Sequence, residues 1–126
     1  MFELGTISQF EAAHRLIGDF GPATRMHGHT YRLEVTVEGE HLDDSNVMFD
    51  LGKLDGAVAD LVSRLNYQDL NEVPALQGVN TTAEAMARFC WQELAKAFQD
   101  QGLCSLAIRL WESPRVFAGY RAALRP

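Results

Sequence analysis

The chain has 126 residues, 47% of them hydrophobic and 22% charged, and carries a formal net charge of -6. That length reads as one domain, spanning 1–126, and buries about two-thirds of the unfolded chain's surface, enough for a core of its own. The negative balance excludes a nucleic-acid backbone binder, whose footprint is basic, and no apolar run approaches the roughly 20 residues that a bilayer-spanning helix needs. Glu3 stands where a secretory signal would carry basic residues, so the expected location is cytoplasmic. Cys90 and Cys104 form no CxxC, and a structural disulfide is not expected.

Residues 2–14 read as a strand that ends in Phe10-Glu11-Ala12-Ala13-His14. Arg15 to Met26 contains Gly18, Gly21 and Pro22 and reads as a loop. From Thr30 to Glu38 the pattern alternates, placing Tyr31, Leu33, Val35 and Val37 on one face of a strand that His29 abuts. Leu51, Leu54, Val58, Leu61 and Leu65 recur at helical spacing and predict an amphipathic helix over 51–65. Asn66 to Asn80 is polar, contains Pro74 and Gly78, and reads as a long loop. Thr81-Thr82-Ala83-Glu84 matches a capping box. The stripe Met86, Phe89/Cys90, Leu94, Phe98 carries a second helix to Gln101, with Gly102 as its stop. Leu106, Ile108 and Leu110 alternate as a third strand, and Val116 to Leu124 forms the fourth after Pro114.

Strands at both ends with two helices between them predict an α+β domain: a four-stranded antiparallel sheet with both helices on one face. The edges of so small a sheet must be covered or paired with another subunit.

The four histidines, His14, His27, His29 and His41, all fall in the first third of the chain. His27 and His29 are two apart, so in extended backbone both rings point to the same face and can reach one ion. Gly28 between them lets the backbone approach closely. An antiparallel neighbour can bring His14 opposite the pair. Three neutral imidazoles with an open fourth position describe a catalytic zinc site, although HxH spacing alone also suits ordinary histidines. His41, beside Leu42-Asp43-Asp44, reads as a surface residue. Arg15 and Arg25 flank the histidines and have the planar fork that suits phosphate, while their spacing equally suits solvated charges.

Two phrases, Phe10-Glu11-Ala12-Ala13-His14-Arg15-Leu16 and Met26-His27-Gly28-His29-Thr30-Tyr31, resemble the 6-pyruvoyl-tetrahydropterin synthase family, which includes the 6-carboxytetrahydropterin synthases of the queuosine pathway. The resemblance continues through Val47-Met48-Phe49-Asp50-Leu51, Leu70-Asn71, Asn80-Thr81-Thr82-Ala83-Glu84 and Trp111-Glu112-Ser113. It implies the tunnelling fold, in which subunits join their sheets into a barrel and commonly stack as homo-hexamers. It implies Zn2+ as cofactor on His14, His27 and His29, and a pterin-type small molecule as partner. Glu112 falls on the family's pterin anchor, where a carboxylate can take a ring N–H and the neighbouring amino group together. Glu112 also shares strand parity with Leu106, Ile108 and Leu110, and an inward-facing acid needs a partner. Thr81 and Thr82 are candidates to line the same pocket, while the capping box alone also explains both.

The chain departs from the family pattern in its proton-transfer groups. The family's cysteine, four residues before the first histidine of the pair, is matched by Ala23, and its Asp-His pair by Asn66 and Tyr67. Asn66 cannot titrate and a tyrosine does so near 10. Tyr67 and Asp69 are the candidate substitutes in the same loop. The resemblance therefore implies a zinc-dependent lyase acting on a dihydroneopterin or dihydroneopterin triphosphate type of substrate with altered chemistry. The alternative is a non-catalytic zinc-containing module that binds pterins or purines.

Overall fold

In the computed structural model, which describes residues 1–126, the elements run β1 (Phe2–His14), β2 (His27–Gly39), α1 (Leu51–Leu65), β3 (Gln68–Asp69), α2 (Ala83–Phe98), β4 (Ser105–Trp111) and β5 (Phe117–Ala123). One sheet takes the order β3-β1-β2-β4-β5. All its pairs are antiparallel except β3, which runs parallel to β1.

Alternation decides which face of the sheet is covered. Phe10, Ala12 and His14 on β1, Tyr31 to Val37 in steps of two on β2, and Leu106, Ile108 and Leu110 on β4 are all buried on one side. Both helices pack there, α1 through Leu54, Val58, Leu61 and Leu65, and α2 through Met86, Ala87, Cys90, Leu94 and Phe98. Burying one such leucine stabilises the fold by about 1.5–3 kcal/mol, and Leu33→Ala in the middle of β2 costs about 2–5 kcal/mol. The other face carries Glu3, Gln9, Glu11 and the 57% exposed Ile7. Asp50 starts α1 by accepting from the Lys53 N–H at 3.2 Å.

Four expectations need correction. The sheet has five strands rather than four, because Gln68–Asp69 pairs with Ala12 and Ala13 inside the supposed loop. Two residues are too few to show a period. Tyr67, in the left-handed region at φ 59, turns the chain into this strand, and its N–H donates to the Glu11 carbonyl at 2.6 Å. β2 begins at His27 rather than Thr30, because the HGH segment pairs with the end of β1. The cap of α2 is Thr82, whose hydroxyl accepts from the Ala85 N–H at 3.1 Å, so the Thr81–Glu84 capping box does not form. α2 stops at Phe98, and left-handed Asp100 and Gly102 then reverse the chain.

β5 and most of β1 have unpaired outer edges, since β3 covers only Ala12 and Ala13. No helix is long and apolar enough to cross a membrane.

Candidate metal and ligand site

The β1–β2 register builds a histidine cluster. His14 is paired directly with His27, and Ala12 with His29, so His14 lies opposite one ring and diagonal to the other. Ring centroids are 4.6 Å apart for His14–His27, 5.1 Å for His14–His29 and 4.9 Å for His27–His29, all tilted or edge-on. One nitrogen from each ring lies within 4.8 Å of the others.

The hydrogen bonds decide which nitrogen faces the centre. His14 Nδ1 meets the Thr81 carbonyl at 2.9 Å and the Thr81 hydroxyl at 3.0 Å. A carbonyl only accepts, so Nδ1 carries the proton and the Nε2 lone pair is left for a ligand role. His27 Nδ1 meets the Arg25 carbonyl at 2.7 Å, with the same consequence. His29 Nε2 is buried with no hydrogen-bond partner in the protein, a costly state that a coordinated cation relieves. Burial, then the neighbouring His27 and His29, pulls the His14 ring down to about 4, so it is neutral at pH 7 as a metal ligand must be. The donor set fits a metal ion, and three imidazoles suit zinc.

Tyr31 continues the same face of β2. It is fully buried, stacks on Phe10 at 4.9 Å, and brings its hydroxyl to 3.5 Å from His14 Nε2. Burial, then the charge of Glu112, pushes this hydroxyl well above the usual phenol range. Glu112 sits at the start of the β4–β5 turn, where its N–H donates to the Val116 carbonyl at 3.0 Å. Continuing the β2–β4 register by one residue from Arg32–Trp111 puts it opposite Tyr31. Glu112 lines a cavity of about 540 Å³ together with Thr82, Glu84, Leu16 and Phe20. Glu84 reads from the sequence only as half of a capping box. Because that box does not form, its carboxylate is left to line the same cavity as Glu112.

Tyr67 and Asp69 lie on a second cavity of about 490 Å³, together with His29, Glu11 and Thr30. Asp69 is paired with Ala13, next to His14, and its negative charge acts on the His14 ring. One of its oxygens accepts from the Asn71 N–H at 3.0 Å. Tyr67 is 81% exposed. Asn66 is engaged elsewhere, accepting from the Glu11 N–H at 2.9 Å. Thr81, expected at the ligand, is fully buried with its hydroxyl on His14, so it serves the histidine instead. Arg15 and Arg25 are exposed and line neither cavity. His41 is outside the cluster, with its side chain 91% exposed.

Fold and site together define a class: a small α+β protein with a three-histidine centre capable of holding a metal ion, set at one end of its sheet beside a carboxylate-lined cavity. The chain belongs to the 6-pyruvoyl tetrahydropterin synthase family, whose model matches residues 3–123. It is 28% identical over 124 residues to the 6-pyruvoyl tetrahydrobiopterin synthase of Dictyostelium discoideum, covering 89% of this chain and 90% of that one. It is 29% identical over 143 aligned positions to the 6-carboxy-5,6,7,8-tetrahydropterin synthase of Haemophilus influenzae, covering 96% and 99%. In fold it is similar to the 6-pyruvoyl tetrahydropterin synthase of Caenorhabditis elegans, with a TM-score of 0.83 at 24% identity over 96% and 95% of the two chains.

Proposed function

We propose that this protein is a zinc-dependent lyase acting on the side chain of a pterin of the dihydroneopterin or dihydroneopterin triphosphate type. The observation that carries the reading is the convergence of three histidines, two of them held as Nδ1–H tautomers, with His29 lining the cavity of Tyr67 and Asp69 and with Tyr31 standing between His14 and Glu112. The names of the relatives, all tetrahydropterin or tetrahydrobiopterin synthases, support a pterin as the small-molecule partner.

His14, His27 and His29 would hold the ion, and zinc bound there supplies a Lewis acid that makes a nearby hydroxyl more acidic. Glu112 holds the pterin ring through its N–H and amino group, with Thr82 beside it in the same cavity. Asp69 takes the role of base, its second oxygen being free and its charge within reach of His14, with Tyr67 as the accompanying acid. Arg15 and Arg25, exposed on either side of the loop that leads back to His27, receive a phosphate. The outcome is elimination of triphosphate or retro-aldol cleavage of the side chain.

The second reading is a non-catalytic pterin- or purine-binding module. It is favoured by Ala23 in a short turn after β1, which has no titratable group, and by Asn66, which is occupied by the Glu11 backbone. In either case we infer a homo-oligomer, a hexamer by analogy with the family. The unpaired edges of β1 and β5 support it, because they offer backbone groups for another copy to pair.

The test is to incubate zinc-loaded protein with dihydroneopterin triphosphate and separate the products by mass. Conversion supports the lyase, and tight binding without conversion supports the module. Absence of binding sinks the lyase and the pterin-binding form of the module. Full zinc occupancy in a His27→Ala, His29→Ala double variant would overturn the metal assignment, and a scattering mass equal to the 14.1 kDa monomer would overturn the oligomer.

A further inference from the structure

β1 ends at His14, yet the chain beyond it does not leave the sheet edge freely. Asn71 Oδ1 accepts from the Arg15 N–H at 2.9 Å, while its Nδ2 donates to the Arg15 carbonyl at 3.2 Å. Asn80 repeats the arrangement two residues on, accepting from the Ile17 N–H at 2.8 Å and donating to the Ile17 carbonyl at 3.0 Å. Each side-chain amide offers the donor and acceptor that a neighbouring strand would offer, and residues 15 and 17 present their backbone groups to the same edge. β3 stops at Asp69, and the two asparagines continue its ladder with side chains in place of backbone. On the other edge, the Leu16 N–H donates to the Ala23 carbonyl at 2.9 Å.

Packing does not explain why this segment stays in place. Ile17 is 59% exposed and Arg15 is exposed as well. The clamp is itself braced: Asp69 accepts from the Asn71 N–H at 3.0 Å, and Gln77 Nε2 donates to the Asn71 carbonyl at 2.8 Å. The segment so held carries Leu16 and leads to Phe20, which form the wall of the Glu112 cavity.

We propose that Asn71 and Asn80 are positioning residues that fix the Leu16–Phe20 wall against the cavity and thereby set how tightly a pterin-type ligand is held. The ligand rests on the reading above, whereas the clamp can be tested without it. Arg15 and Arg25 are exposed trypsin sites at the two ends of the loop. Losing a pair of backbone-mimicking bonds frees the loop, so Asn71→Ala and Asn80→Ala are each cut about tenfold faster there than the parent. In the same variants, Kd for neopterin, followed by its fluorescence, rises about tenfold while zinc content stays at the parent level. Asn80→Asp keeps the acceptor for the Ile17 N–H but sets an oxygen against the Ile17 carbonyl, and it behaves like Asn80→Ala even where the alanine variant folds poorly.

Parent-like cleavage in both alanine variants overturns the clamp. Faster cleavage or a lower Tm with Kd unchanged overturns the positioning role and leaves an ordinary loop anchor. If the parent binds no pterin at all, the ligand reading fails, and the cleavage rates still decide whether the clamp exists.

Discussion

Thr81 holds His14 twice through one nitrogen: its carbonyl lies 2.9 Å and its hydroxyl 3.0 Å from His14 Nδ1, with both residues buried. The contact fixes the tautomer and the ring plane of a residue whose Nε2 faces the histidine cluster. Groups that orient a metal-binding histidine in this way typically change metal affinity by about 10–100-fold when removed.

Thr81→Val therefore weakens zinc binding by about tenfold, the low end of that range, because the carbonyl still holds Nδ1–H. The side-chain volume is nearly unchanged, so the fold survives. Competition against a chromophoric chelator measures the effect, and a parent-like affinity would show that the hydroxyl does not orient the ring.

Glu112→Ala separates the ligand from the metal. Glu112 is absent from the histidine group, so zinc stoichiometry stays at the parent value. Hydrogen bonds to a charged group contribute about 1.5–3 kcal/mol, so pterin affinity falls by about 10–150-fold. Equilibrium binding with parallel metal analysis checks this, and loss of zinc together with the pterin would contradict it.

Glu93 makes acid stability depend on the helix pair. Arg64 on α1 lies 2.7 Å from one of its oxygens and Lys96 on α2 bonds the other. The hydrogen bond from Lys96, then that from Arg64, holds the carboxyl below the usual glutamate range. A folded value below the unfolded one means that this stabilisation is complete above about pH 4.3, the unfolded value, and is lost as pH falls through the folded value. Denaturant titrations of the parent and Glu93→Gln then differ more at pH 7 than at pH 3. A gap of the same size at both pH values would exclude the linkage.

Cys90 is fully buried, and burial, then the charge of Glu93, pushes its thiol up to about 12. An inaccessible, protonated thiol does not react with alkylating agents. Iodoacetamide at pH 8 leaves Cys90 unmodified in the native protein and labels it after denaturation, as peptide mass mapping shows. Rapid native labelling of Cys90 would mean that α2 opens locally.

Some of this was legible without a structure because it depends on near neighbours. A period of two put His27 and His29 on one face, and the same parity turned Glu112 toward the side of Leu106, Ile108 and Leu110. A period of 3.6 gave the helix over 51–65 with its observed bounds. The likeness of short phrases to a known family pointed to the same three histidines that the fold brings together.

What depends on distant partners was not legible. An antiparallel neighbour that brings His14 opposite the pair is expected from the sequence and is what β2 supplies, but the exact His14–His27 pairing joins two strands across a loop, and the Thr81 contact to His14 spans 67 positions of the chain. The single-residue shift that makes Thr82 the cap, and so frees Thr81 for His14 and Glu84 for the cavity, was invisible because both threonines suit a cap equally well. β3 and the asparagine clamps left no periodic trace, since two residues make no pattern and an amide side chain can imitate a strand only once the fold has brought an edge to it. Local sequence determined which side chains share a face. The tertiary pairing of β1 with β2 and with the 66–82 segment decided which of those faces meet, because hydrogen-bond register is a property of two segments and cannot be written in either alone.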